Sequence, residues 1–239
     1  MRVDIAAAVR RHQLRHAHMV GITKRSLICG FAIDSARIAS VARAVRVRIR
    51  PESVLTVRST AGTELTVQCN PNHRWVEHVG VIRPGRWENL PSGELVTAPG
   101  DVRGVFVCNA SMSEAFGARA GLLGTSPVRV SIEASYVRSV TCANAQLERD
   151  VRTWIRSADH LDRVGLAALG TNIGLVDPVG EILCDQNLPG LHLGFGATFS
   201  DETGAGWNAS RQLVMAGAYG DVDLDGVPLI RAGRYLELS

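Results

Sequence analysis

Glu94 stands in the stretch RWENLPSGELVTAP (86–99), on a Ser-Gly turn just ahead of a short apolar run. A carboxylate so placed can ligate a metal, accept a proton or pair with a cation, and its partners decide among these. Other residues with chemical potential are easier to discount. His12, His16 and His18 are close in sequence, with 12 and 16 four apart, but no acidic ligand lies near them and Arg11 and Arg15 stand beside them. A solvated basic helix face is the expectation there. DVDLDG (221–226) matches the opening of an EF-hand loop, yet its twelfth position, where a bidentate glutamate belongs, is Ala232; a hairpin turn is expected instead. GLLG and GFG lack the strand–turn–helix context of a nucleotide site, and no G-x-S-x-G occurs.

The elements that would position Glu94 are mostly strands. Residues 4–20, with Ile5, Val9 and Leu14, predict a helix, and Ser35–Ala44 a second one with Ile38 and Val41 on one face. From Val45 the pattern turns to alternation: VRVRIR (45–50), SVLTVRS (53–59) and ELTVQC (64–69) read as strands, followed by VRGVFVCN (102–109) and VRVSIEASYVRSVTC (128–142). Leu147, Val151, Trp154 and Ile155 then recur at helical spacing. The tail DVDLDGVPLIRAGRYLEL reads as strand, Asp-Gly turn, strand. Strands and helices do not alternate regularly, so the fold class expected is α+β.

Composition narrows the function classes. The 239 residues include 46% hydrophobic and 21% charged, enough to bury a full core. No apolar run of about 18 residues exists, so no membrane span is expected, and the first residues lack the apolar segment of a secretion signal. The five cysteines (29, 69, 108, 142, 184) are widely spread with no C-x-x-C pair, which fits reduced, buried thiols in a cytoplasm. Residues 1–50 hold 11 basic and two acidic side chains, whereas the rest hold 15 and 21. That segment asks for an acidic partner, but aromatic interleaving is absent beyond Phe31 and the body is net acidic, which argues against nucleic acid.

Three segments, NLPSGELVTAP (89–99), ALGTN (168–172) and CDQNLPGLHLGFG (184–196), resemble in this order the signature segments of the M29 family of metalloaminopeptidases, which are aminopeptidase T-like. VRSTAGTELTV (57–67) is similar to the family's Thr-x-Ala-Gly-Thr-Asp-Leu strand pair, and the closing hairpin fits as well. The resemblance implies a strand-rich M29 aminopeptidase-like domain over 46–239. A short basic helical segment, 1–45, would stand in place of the family's N-terminal α/β domain. By analogy it also implies a homodimer.

The family's two metal ions imply a ligand set, which transfers only in part. Glu94 matches the glutamate of the NLP-x-GE segment, and His192 the histidine of a G-T-x-H-x-A segment whose threonine is here Leu191. The glutamate expected before GTN falls on Leu166. That of the Asp-Glu-Lys run falls on Gln186, with Asp185 kept and Asn187 in place of lysine. The final His-x-Asp pair belongs near SRQLVMAG (210–217), where neither residue occurs, whether histidine is aligned with Arg211 or Gln212. Two dications about 3.5–4 Å apart need several carboxylates to neutralise them. Glu94 and His192 alone do not supply that, so no metal and no cofactor are expected.

A vacated peptidase cleft can still hold an extended peptide on a strand edge. The residues expected to line it are Glu94, His192, Gln186, Arg211, Trp207 and Asn172, with Trp87 also near the signature segments. Such truncated relatives resemble proteins of ribosomal-peptide natural-product pathways of the crocagin type, which implies a precursor or core peptide as ligand. Competing expectations are an enzyme using Glu94 as base and His192 as acid, a residual metalloaminopeptidase, and a single-metal site as in the dioxygenase branch that resembles this fold. The last lacks its His-x-Asp pair.

Overall fold

The computed structural model describes residues 5–113, 116 and 121–237. Its N-terminal portion contains α1 (Ile5–Arg11), β1 (His16–His18), α2 (Lys24–Gly30) and α3 (Ser35–Arg46). The single helix expected over 4–20 therefore stops at Arg11: Gln13 takes a left-handed conformation (φ 50), and His16–His18 is extended. The strand expected at 45–50 is also corrected. Asp34 caps α3 by accepting from the Arg37 amide at 2.7 Å, and its buried face is Ile38, Val41, Ala42 and Val45. Val45 closes that helical stripe, Val47 is 79% exposed and Ile49 is buried. The true spacing of the buried residues is four, not two.

After α3 the chain is built of strands, as an α+β fold requires. β2 (Val54–Arg58), β3 (Glu64–Gln68), β7 (Asp101–Cys108), β8 (Val128–Glu133), β9 (Tyr136–Cys142), β13 (Asp221–Leu224), β14 (Val227–Arg231) and β15 (Arg234–Tyr235) form an eight-stranded sheet in the order β15-β14-β13-β2-β3-β7-β8-β9. Three of its hairpins turn on residue pairs with positive φ, Ala134-Ser135, Asp225-Gly226 and Ala232-Gly233. Paired positive φ matches the right-handed strand twist. DVDLDG is thus a hairpin, and Asp225 closes it by accepting from the Val54 amide and the Ser53 hydroxyl, each at 2.8 Å. The amphipathic segment forms α4 (Ala145–Ile155), capped by Asn144.

The second sheet carries the signature segments. β4 (Val76–His78), β6 (Glu94–Thr97), β10 (Val164–Gly170), β11 (Gly190–Gly196) and β12 (Gln212–Met215) pair antiparallel in the order β12-β11-β10-β6-β4. One face gives Leu95, Leu169, Leu191, Leu193, Phe195 and Leu213 to a core shared with Leu55, Val57, Leu65, Val67 and Phe106 of the larger sheet. Alternation sends Glu94, Val96, Leu166, Ala168, His192, Gln212 and Val214 to the opposite face. A short parallel pair joins β1 to β5 (Trp87–Asn89). No helix among the described residues is long and apolar enough to cross a membrane.

Candidate functional site on the five-stranded sheet

The turn before Glu94 is shaped by a close approach of two backbones. Gly93 has φ +136, and a Cβ there would lie 2.7 Å from the Asn172 Cβ and 2.9 Å from its amide nitrogen. Only glycine fits such a position. Its carbonyl accepts from the Thr171 amide at 2.6 Å, which locks the GTN segment against the turn. Glu94 then opens β6 between two neighbours in register, His78 on β4 and Gly170 on β10. The Gln186 amide, at the end of α5 (Ile182–Asp185), donates to Glu94 Oε1 at 3.4 Å.

Burial dominates the electrostatics of Glu94. Loss of solvent pushes its carboxyl up to about 7; His78 opposes that rise and Glu88 adds to it. Glu88, buried at 4% exposure, has one oxygen accepting from the Gly80 amide at 2.7 Å and the Ser92 hydroxyl at 3.2 Å. The Nε2 of His78 is buried without a hydrogen-bond partner among the described residues, and Glu202 Oε2 stands 4.0 Å from it. His78 and Glu88 therefore belong to the Glu94 neighbourhood, and neither was expected from sequence. Only the pairing of β4 with β6, a contact between distant segments, puts His78 opposite Glu94.

His192 is part of the scaffold. It is fully buried, its Nε2 donates to the Leu188 carbonyl at 2.8 Å, and its Nδ1 accepts from the Gly217 amide at 3.3 Å. Both nitrogens are occupied, and burial lowers its pKa to about 4, so it is neutral at ordinary pH. Asn172 is equally closed. Its side-chain amide donates to the Gly30 and Ser92 carbonyls at 2.9 and 3.1 Å, and its oxygen accepts from Gly174 at 3.2 Å.

Arg211 and Trp207 lie elsewhere. Arg211 donates to the Ser157 hydroxyl at 2.6 Å and sits over the Trp154 ring, beyond the end of α4. Trp207 stacks on the Arg163 guanidinium, 4.1 Å from its ring centre, with His160 on the same ring. Trp87 packs against both His16 and His18, whose ring centres are 4.2 and 4.7 Å away. Of the residues expected to share a cleft, the structure brings Glu94 and Gln186 together, keeps Asn172 and His192 buried in hydrogen bonds of their own, and leaves Arg211 and Trp207 apart.

The positions to which the M29 resemblance would assign metal ligands carry Leu166, Gln186 and Gln212 here. Leu166 packs with Val96 and Ala168 into an apolar patch on the Glu94 face. Gln212 and Val214, two apart on β12, occupy that same face where a His-x-Asp pair would project. The Gln212 amide donates to the Ala197 carbonyl at 3.2 Å. No group of three or more His, Cys, Asp or Glu side chains among the described residues could hold a metal ion. Glu94 has the Gln186 carboxamide and His78 as its near donors, His192 has both nitrogens engaged, and this set falls short of a centre of one or two ions.

The family model described as NicX, 2,5-dihydroxypyridine 5,6-dioxygenase, matches residues 31–174, more than half of the chain. The chain belongs to the NicX family. Among solved structures, this NicX-family chain is similar to 2,5-dihydroxypyridine dioxygenase from Pseudomonas putida KT2440 (TM-score 0.70, 17% identity, covering 99% of this chain and 69% of that one). It is also similar to wild-type AmpT from Thermus thermophilus (TM-score 0.64, 23% identity, 89% of this chain and 58% of that one). At such identities these likenesses speak for the fold, and the chain spans well under two thirds of AmpT. The M29 resemblance therefore holds as a relationship of fold, while the family matched in sequence is the dioxygenase one. No curated protein matches the chain.

Proposed function

We propose that this NicX-family chain is a binding protein that holds an extended peptide beside Glu94 without using a metal. One observation carries the reading. The sheet face that carries Glu94 presents Leu166, Gln212 and Val214, none of them an acidic or imidazole donor, and the strand next to Glu94 is the outer one of its sheet. β4 is the outer strand of the five-stranded sheet, so one side of its backbone is free to pair with an added strand. A cavity of about 450 Å³ lies against it, walled by Trp75, Val76 and Val81 and rimmed by Arg83, Arg86 and Glu202. Glu88 lines the same cavity and acts electrostatically on Glu94. Apolar walls with charges of both signs suit alternate side chains of a peptide, and the paired carboxyls suit its amino terminus or a basic side chain. A ribosomal precursor or core peptide is the ligand class proposed, and assistance to its modification is the role.

The pH dependence follows from Glu94. A cationic group pairs with the ionised carboxylate, so at pH 6 binding must first expel a proton, and at pH 8 it need not. Affinity for free-amine hexapeptides is therefore expected to rise roughly tenfold between pH 6 and 7.5, for about one unit of that titration. Calorimetry in buffers of different ionisation heat is expected to show proton release at pH 6. Glu94→Gln is expected to weaken binding and abolish the pH trend. An unchanged affinity in Glu94→Gln would place the peptide elsewhere.

A second reading is favoured by the same pair of strands. A carboxyl poised near 7 opposite an imidazole is an acid–base pair, with His78 rather than His192 as the partner of Glu94. Turnover of a bound peptide lost in both Glu94→Gln and His78→Gln, with binding retained, would select it.

A further inference from the structure

A second cavity, about 340 Å³, opens between α3, the turn after β10 and the C-terminal β15. Its walls are apolar: Val41 and Ala44 of α3, Ile173 and Leu175 of the turn, and Pro189. The hydroxyl of Tyr235, which lines it, is committed to the Gly170 carbonyl at 2.8 Å and offers no free donor inward. Two cations, Arg37 and Arg234, line the same space from opposite elements, and both are exposed. Arg37 uses its main-chain amide on the Asp34 cap, but among the described residues neither guanidinium is held in a hydrogen bond or an ion pair. Leu236 lines the cavity, and the carbonyl of the next residue, Glu237, accepts from Arg48 at 3.1 Å.

Two uncommitted guanidiniums over hydrocarbon walls define the chemistry of a ligand. The anion must present its charge at the rim, where a planar guanidinium can grip two oxygens, and bury an apolar body below. A phosphorylated polar ligand would find the Ser40 hydroxyl besides the arginines and would leave Val41, Ala44, Ile173, Leu175 and Pro189 facing polar atoms. A volume at the lower end of the range for small-molecule sites limits the body to a side chain or a short alkyl chain. We propose that this cavity is a binding site for a carboxylate carried on an apolar group. It is separate from the β4 edge and does not depend on the peptide reading.

Two sources can supply that chemistry, the carboxyl terminus of a peptide ending in an aliphatic residue and a free aliphatic acid. Calorimetric titration of the full chain with acetyl-Ala-Leu, its carboxamide and octanoate separates them. At least one carboxylate is expected to bind with a Kd of about 0.1–1 mM, and the carboxamide at least about tenfold more weakly. The tighter of the two carboxylates names the source. The double variant Arg37→Met, Arg234→Met is expected to lose about tenfold or more in affinity while melting as the wild type does. Glu94→Gln is expected to bind these probes unchanged. Equal affinity for acid and amide, no binding of either carboxylate up to about 10 mM, or full affinity in the double variant would overturn the proposal.

Discussion

Glu94→Gln is expected to make the fold more stable at pH 8 and to leave it nearly unchanged at pH 4.5. Burial raises the Glu94 carboxyl to about 7 in the folded chain, against an ordinary value of 4.5. Between those values the folded state keeps a proton that the unfolded chain has released, so stability falls as pH rises through this window. At pH 8 the full cost is in place, and below 4.5 there is none. A shift of this size corresponds to about 3 kcal/mol, reduced to about 1–2 kcal/mol because Glu94 is only partly shielded from water. Glutamine keeps the shape and the hydrogen-bonding oxygen without the charge. Urea denaturation of both proteins at pH 4.5, 6 and 8 measures the difference. Parallel profiles would mean that Glu94 ionises as an ordinary surface carboxylate.

His192→Leu is expected to be the most damaging single change on this face, and its pH dependence runs the other way. Leucine fills the volume but strands the Leu188 carbonyl and the Gly217 amide, which His192 satisfies. Two buried backbone groups left unpaired cost about 2–4 kcal/mol at pH 7. His192 has its pKa lowered to about 4 by burial, from 6.5. In that interval the unfolded chain holds the extra proton, so its contribution is present above pH 6.5 and is lost as pH falls toward 4. The gap between wild type and His192→Leu should therefore narrow on acidification. The opposite slopes of Glu94 and His192 overlap between about pH 4.5 and 6.5 and largely offset in the wild type. Each single variant should expose the slope of the other. A gap that stays constant from pH 7 to pH 4.5 would contradict the closed, neutral role of His192.

How much of this was legible in the sequence depended on range. Strands 54–58, 64–68, 101–108 and 128–142 and the helix at 145–155 follow from local periodicity, because each buries one face against a single core. Val45, Val47 and Ile49 alternate like a strand, but Val45 belongs to a helical stripe that begins at Ile38 and decides the matter. His16 and His18 sit too far from their partner, Trp87, for spacing to reveal that they belong to a strand. That Leu166 and Gln186 are not the glutamates that the M29 resemblance would place there was visible from the residues themselves. The placement of Arg211 was not, because one residue of strand register separates it from Gln212 on the Glu94 face. His78 and Glu88 reach Glu94 only through the tertiary fold, and no motif marks them.

This face is proposed to work without a metal ion. Its most direct test is elemental analysis after the purified chain has been incubated with iron(II), manganese(II) or zinc(II) and desalted. Well below one ion per chain is expected for each metal, with no difference between wild type and Glu94→Gln. One or two ions retained per chain, and lost in Glu94→Gln, would contradict it.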